Sequence, residues 1–136
     1  RTTFMVGFPG ETEEEFQATC QFVESIAFSR VHVFAYSRRP GTVADRLPNQ
    51  VNNTDKGIRS KKMIQLCQQT ANAYAESYLG KEVEVLLETP YPDGTVDGHT
   101  TTYLNVITKT DKPTGTLLKV HICDCKGDVL YGEETQ

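Results

Sequence analysis

No apolar run in the 136 residues approaches the ~18 that a membrane-spanning helix requires. The amino end also lacks the charged-then-apolar pattern of a leader peptide, so no membrane partner is expected. The four cysteines, Cys20, Cys67, Cys123 and Cys125, do not have the spacing of a disulfide-stapled secreted scaffold. A cytoplasmic chain is the simpler reading. Net basic charge is missing too, the formal charge being −4. Residues 1–79 carry nine Lys/Arg against eight Asp/Glu, and residues 80–136 carry five against ten. Global charge therefore argues nothing for nucleic-acid binding, and any such case rests on local patches. There is no initiating Met: the chain opens on Arg1 and runs straight into Phe4-Met5-Val6, as a fragment would. What is present is an ordinary globular composition, 38% apolar and 24% charged, which speaks against disorder. The length suits one mid-sized domain or two small ones.

Two periodicities divide the chain. Residues 3–8 form a nearly continuous apolar run, as buried parallel strands do. Pro9-Gly10 breaks it, and Thr12 with Glu15 makes a capping box, with Glu13, Glu14 and Glu15 in the first helical turn. Phe16, Cys20, Val23 and Ala27 then recur at helical spacing. Residues 30–36 predict a second strand, with Val31, Val33 and Ala35 on one face and His32, Phe34 and Tyr36 on the other. An irregular stretch over 37–53 turns at Pro40-Gly41 and Pro48-Asn49. A long helix follows from about Thr54, carried by Met63, Cys67, Ala71, Tyr74 and Tyr78 and ended by Gly80. If continuous, it would be roughly 36 Å long.

Beyond Gly80 the period changes to two. Val83, Val85 and Leu87 alternate with Glu82, Glu84 and Glu88. Turns at Pro92-Asp93-Gly94, Asp111-Lys112-Pro113 and Lys126-Gly127-Asp128 separate strands over 102–108, 117–124 and 129–132, with a short one over 95–98. Residues 80–136 therefore predict a small closed β-barrel. Residues 1–79 read as βαβα, and two parallel strands alone leave both sheet edges unpaired. That half is expected to end a larger α/β barrel or sheet.

The run Val6-Gly7-Phe8-Pro9-Gly10-Glu11-Thr12-Glu13-Glu14-Glu15-Phe16 resembles a motif late in the catalytic barrel of radical S-adenosylmethionine (SAM) methylthiotransferases. So do His32-Val33-Phe34-Ala35-Tyr36-Ser37, Arg39-Pro40-Gly41-Thr42 and Gln50-Val51. Gly80-Lys81, Val85-Leu86-Leu87-Glu88, Gly98-His99-Thr100, Tyr103-Leu104 and Leu130-Tyr131-Gly132-Glu133 resemble the RNA-binding module called TRAM. The fold implied is α/β plus all-β: a C-terminal βαβα portion of a radical-SAM partial TIM barrel over 1–79, then a small OB-like antiparallel barrel over 80–136. His-Val-Phe ahead of Tyr-Ser is most similar to the MtaB-type branch, which adds a methylthio group to threonylcarbamoyl adenosine beside the anticodon of tRNA.

The resemblance implies SAM and two four-iron–four-sulfur clusters as cofactors of a full-length enzyme, and tRNA as partner. The family's CxxxCxxC and its three further cluster cysteines do not occur in this chain, which by itself is expected to be inactive. Thr3, Arg38, Val43 and Thr102 depart from the family pattern. Siblings that act on isopentenyl adenosine or a ribosomal protein stay open as alternatives, as does a non-catalytic RNA-binding or protein-interaction module.

Candidate residues follow. Gly7, Phe8, Pro9, Gly10 and Glu11 lie at the carboxyl end of a strand, where α/β barrels place their active sites. The resemblance sets this end against SAM, while a capped strand–turn–helix joint explains the same residues without a ligand. Tyr36, Ser37 and Arg39 leave the second strand at the same end, and an Arg fork there suits the SAM carboxylate or an RNA phosphate. Of Arg38 and Arg39 only one should face inward. Lys56, Arg59, Lys61 and Lys62 read as a solvated helix face or a phosphate contact. Lys81, Lys109, Lys112 and Lys119 would build a positive barrel face, with Tyr91, His99 and Tyr103 as stacking residues or core. Glu82, Glu84 and Asp97 would repel phosphate if they shared that face. His121, Cys123 and Cys125 alternate on one strand, too far apart to hold one ion, so no metal site is expected there. No residue of the chain is nominated as catalytic.

Overall fold

The computed structural model describes all 136 residues, which form two compact units, Arg1–Ala71 and Asn72–Gln136. In the first, strand β1 (Thr2–Val6) leads through helix α1 (Glu13–Ile26) to β2 (Val31–Ala35). The strands pair in parallel from Thr2↔Val31 to Val6↔Ala35. Phe4, Val6, Val31, Val33 and Ala35 pack towards a core of Phe16, Cys20, Val23, Met63 and Cys67. The apolar run over 3–8 suggested a strand covered on both sides. Instead, the second sheet face stays open, and the cross-strand pair Met5 and Phe34 is 43% and 40% exposed.

Helix α1 begins with the anticipated capping box: Thr12 accepts from the Glu15 amide, and the Glu15 carboxylate accepts from the Thr12 amide. It ends at Ala27, a left-handed residue whose N–H reaches Val23. Helix α2 (Asn53–Glu76) is capped by Asn52, whose Oδ1 accepts from the Asp55 amide. At its far end, Tyr78 and Leu79 donate to carbonyls only three residues back, so the chain tightens and leaves the α-helix before Gly80.

The second unit begins within α2, ahead of the change of periodicity at Gly80, because Tyr74, Ala75 and Tyr78 pack on the barrel core. The strands are β3 (Glu82–Pro90), β4 (Thr95–Thr100), β5 (Asn105–Lys109), β6 (Leu117–Lys126) and β7 (Val129–Glu134), and they close in the order β3-β4-β5-β7-β6. The closed barrel anticipated from strand spacing is present; the resemblance implied an antiparallel one, whereas β5 and β7 pair in parallel and the other neighbours are antiparallel. The parallel pair is possible because β6 intervenes in sequence and lies on the far side of β7. This is the strand order of an OB-type barrel. Val85, Leu87, Val96, Val106, Leu118, Val120, Ile122 and Leu130 fill it.

Two corners set the barrel's curvature. The register shifts between Leu87 and Thr89 and between Ile122 and Asp124, and the residues opposite are Gly98 and Gly132. A Cβ on Gly98 would run into the Leu86 carbonyl, and one on Gly132 into the His121 carbonyl. Bulge and glycine together let neighbouring backbones approach closely enough to turn the sheet. The second bulge also breaks the alternation expected of His121, Cys123 and Cys125. Cys123 is exposed, whereas Cys125 turns to pack against the core.

Candidate functional site

The loop that follows β1 is braced from beneath. Gly7 adopts a left-handed φ of 74°, which ends the strand, and a Cβ there would sit 2.5 Å from Lys56 Cγ. Glu11 Oε1 accepts from the Gly7 amide at 2.9 Å and from Arg59 Nη1 at 2.8 Å. Arg59 also donates to the Glu11 carbonyl, and the two side chains are only 9% and 14% exposed. The Gly10 amide donates to Asn49 and the Glu11 amide to Phe8. The turn is thus held from within, and Glu11 supports the wall instead of lining it.

Lys56 and Arg59 were read from sequence as a solvated or phosphate-binding helix face, and the structure corrects this. Both are buried: Lys56 Nζ donates to the Tyr36 carbonyl at 3.2 Å and lies over the Tyr36 ring, and Arg59 lies over Phe16. Burial of Arg59 is offset by Glu11 and that of Lys56 by a carbonyl and a ring face, although Arg59 Nε, 3.5 Å from the Glu13 carboxylate, makes no hydrogen bond. Nothing local in the sequence marks them, since the partners lie 20 and 48 residues away.

Past β2, Arg38 turns back to Asp45, donating through Nε to Oδ1 and through Nη2 to the carbonyl, each at 2.8 Å. Arg39 makes no ion pair. With Met5, Phe34, Ala35, Tyr36, Ser37, Thr42 and Ala44 it lines a cavity of about 480 Å³, a size typical of small-molecule sites. Tyr36 is 9% exposed, packs edge-on to Phe8, and its phenol oxygen is buried without a hydrogen-bond partner. An apolar floor, an unpaired guanidinium and an unsatisfied phenol fit a ligand with an apolar or aromatic body and an anionic group, as SAM has. The cysteines of this chain do not fit an iron–sulfur cluster. Cys20 and Cys67 sit in the core, where burial pushes both thiols up, and Cys123 and Cys125 face opposite ways.

The barrel carries two unlike surfaces. His99 and Tyr103 share one, a cavity of about 460 Å³ with Leu86, Leu117, Glu84 and Glu88. Its charge is acidic, and His99 Nδ1 is 2.7 Å from Glu88. Lys119, across β3 from Glu84, lies 4.0 Å from Glu82. Lys81 lies over Tyr78, and Lys112 follows β5 in a loop, its amide donating to Thr110. The six nominated RNA residues are thus dispersed.

The other surface is the β4–β5 face with the β3–β4 loop, where OB folds take oligonucleotides. Tyr91, Asp93, Thr95, Ile107, Lys109 and Tyr131 line a cavity of about 430 Å³ there. Lys126, at the β6–β7 turn, stacks over the Tyr131 ring at 5.2 Å. Only Lys109 of the six belongs to this group, joined by Tyr91 from the wider stacking set. Tyr131 and Lys126 were missed, because only the parallel β5–β7 pairing sets Tyr131 beside Ile107.

An α/β segment followed by an OB-type barrel is the class of protein this fold defines. Its relatives narrow the class. The tRNA-2-methylthio-N(6)-dimethylallyladenosine synthase of Bartonella tribocorum is 33% identical over 97% of this chain and 29% of its own length. The threonylcarbamoyladenosine tRNA methylthiotransferase MtaB of Bacillus subtilis is 39% identical over 87% of this chain and 27% of its own. The ribosomal protein uS12 methylthiotransferase RimO of Clostridioides difficile is 41% identical over 74% of this chain and 22% of its own. The chain belongs to this methylthiotransferase family, and it spans under a third of the length of the relatives it matches. No family model matches it.

Proposed function

We propose that this chain is part of a radical-SAM methylthiotransferase that modifies threonylcarbamoyl adenosine beside the anticodon of tRNA. The observation that carries the reading is the 39% identity with a threonylcarbamoyladenosine tRNA methylthiotransferase over 87% of the chain. SAM, when bound, supplies radical hydrogen abstraction and the methyl group.

The chain's own residues bind and orient. Gly7, Phe8, Pro9 and Gly10 with Tyr36, Ser37 and Arg39 wall the SAM side, braced by Glu11, Lys56 and Arg59. On the barrel, Tyr91 and Tyr131 offer rings to unpaired bases, and Lys109 and Lys126 offer charge to the backbone. The iron–sulfur ligands come from outside this chain, which is inactive by itself in a cytoplasmic enzyme.

The test is nucleoside mass spectrometry of total tRNA from cells with and without the gene. Loss of methylthio threonylcarbamoyl adenosine alone is the expected result. Persistence of every methylthio nucleoside would sink the tRNA assignment. A second reading, a ribosomal-protein substrate, is favoured by the acidic and apolar groove of Glu84, Leu86, Glu88 and Leu117, which suits a basic protein segment. In that case the deletion would leave tRNA unchanged and remove a methylthio group from a ribosomal protein.

A further inference from the structure

The outward residues of β3 run Glu82, Glu84, Leu86 and Glu88, so one aliphatic side chain stands where the alternation calls for a polar one. Leu117 on β6 is its cross-strand neighbour, and the two are 40% and 61% exposed. They floor the cavity of about 460 Å³ that Glu84, Glu88, His99 and Tyr103 help to enclose. Tyr103 holds a left-handed φ of 64°, which a β-carbon makes costly. The loop fixes it there: the Tyr103 amide donates to the Thr100 carbonyl, and the Thr100 hydroxyl accepts from the Thr102 and Leu104 amides. This wall of the groove is therefore set before any ligand arrives, which lowers the ordering cost of binding. Lys119 lies 4.0 Å from Glu82, Glu88 is paired with His99, and Glu84 makes no ion pair. The groove thus presents a carboxylate, an apolar floor and a second carboxylate. Its two glutamates sit four residues apart, about 13 Å along a strand and less where β3 is bulged.

We infer that this groove binds a linear aliphatic polyamine, its ammonium groups on Glu84 and Glu88 and its methylenes over Leu86 and Leu117. It shares no residue with the Tyr91–Tyr131 cavity, and the inference goes beyond the function proposed above. Charge complementarity selects the class, because cation, apolar stem and cation answer carboxylate, apolar floor and carboxylate. A basic protein segment, the occupant under the second reading, meets the two charges equally well. Its backbone N–H and C=O groups, however, would lie against two leucines without partners. Every barrel strand is already paired on both sides, so no open edge exists to satisfy them. A run of methylenes has no such groups, and a bare metal ion gains nothing from the apolar floor. Residues 80–136 carry five Lys/Arg against ten Asp/Glu. A bound polycation therefore offsets part of the negative charge that opposes an RNA backbone.

The test is equilibrium dialysis of the full-length enzyme, free of tRNA, against labelled spermidine at about 0.15 M salt, where exposed charges are largely screened. Saturable binding to a single site is expected. Glu84→Gln and Glu88→Gln should each weaken it about 3- to 5-fold. Leu117→Asn, which alters the floor and no charge, should weaken it about 2- to 3-fold. Glu14→Gln on α1 makes the same change in net charge and should leave binding unmoved. Both groove glutamates are exposed, so neither substitution should shift the thermal midpoint. Binding that does not saturate, or that falls as much with Glu14→Gln, overturns the inference by reducing it to a counterion atmosphere. Full displacement by magnesium at equal ionic strength does the same. A Lys-Leu-Lys peptide that binds through Glu84 and Glu88 where spermidine does not overturns it in favour of a basic protein segment.

Discussion

In the barrel every strand has two neighbours, from β3–β4 round to the β6–β3 closure, whereas β1 and β2 have only each other. Most of the barrel's inward positions are buried aliphatics, with Thr100 and Thr108 buried among them, and its outward positions are mostly polar or charged. The α/β unit has one packed sheet face and one open apolar face, and it replaces part of its core with buried cations on carbonyl and carboxylate partners. The difference separates two ways of holding a fold. A closed barrel depends on shape, on how near two backbones can come. The α/β unit depends on charge as well, because Arg59 and Glu11 hold up the wall of the candidate site.

That contrast can be broken at its strongest point first. Gly98→Ala sets a methyl group against the Leu86 carbonyl, and we expect a loss of about 3 kcal/mol or more in the barrel. Gly10→Ala, with open space around it, should cost about 1 kcal/mol, from its left-handed φ alone. Hydrogen exchange resolved by unit reads both. Amide protection in β3 and β4 that survives Gly98→Ala would mean the close approach does not limit the barrel.

The next effect belongs to the other unit. Arg59→Met leaves the Glu11 carboxylate buried without its cation and should cost about 2–4 kcal/mol in urea denaturation. Glu11→Gln keeps an acceptor for the Gly7 amide but leaves the Arg59 guanidinium buried beside Glu13 alone, and should cost a comparable amount. If Glu11→Gln were neutral, the ion pair would not be a main contributor.

Smaller still is an alkaline effect confined to the same unit. Burial raises the Cys20 and Cys67 thiol pKa values in the fold. Above about pH 8.5 the unfolded chain releases these protons while the folded chain retains them. Stability is therefore complete below that range and declines as pH rises through the raised folded values. Cys67→Ala should flatten the decline measured between pH 7 and 10, and Cys123, being exposed, should be the first thiol to react with an alkylating reagent.

The smallest effect is acidic and lies in the barrel. The Thr95 hydroxyl and amide hold the Asp93 carboxylate below its ordinary range. Its contribution to the turn is present above the ordinary Asp value and is lost as pH falls through the depressed one. A Thr95 amide resonance that titrates at or above the ordinary value, about 3.9, would contradict the contact.

Much of the framework was legible because it is local. The Thr12–Glu15 box, the helical spacing of Met63, Cys67 and Ala71, and the alternation of Val83, Val85 and Leu87 each involve residues within a few positions of one another. The misreadings all have long-range causes. Lys56 and Arg59 sit among polar neighbours on a helix and gave no sign that Tyr36 and Glu11 would enclose them. His121, Cys123 and Cys125 alternate perfectly in sequence, yet a bulge set by Gly132 on another strand turns Cys125 inward.

Sequence alone determined most of the elements and the change from helical to alternating period at Gly80, since both arise from short-range sterics, capping and periodicity, and it carried the motifs that resemble the family. Tertiary structure decided which side chains meet. It left Arg39 unpaired by giving Asp45 to Arg38, it set Tyr131 beside Ile107 through a parallel pairing, and it separated the acidic barrel groove from the one holding Lys109. The physical reason is that burial and pairing depend on distances in space, and residues 20 to 48 positions apart acquire those only when the chain has folded.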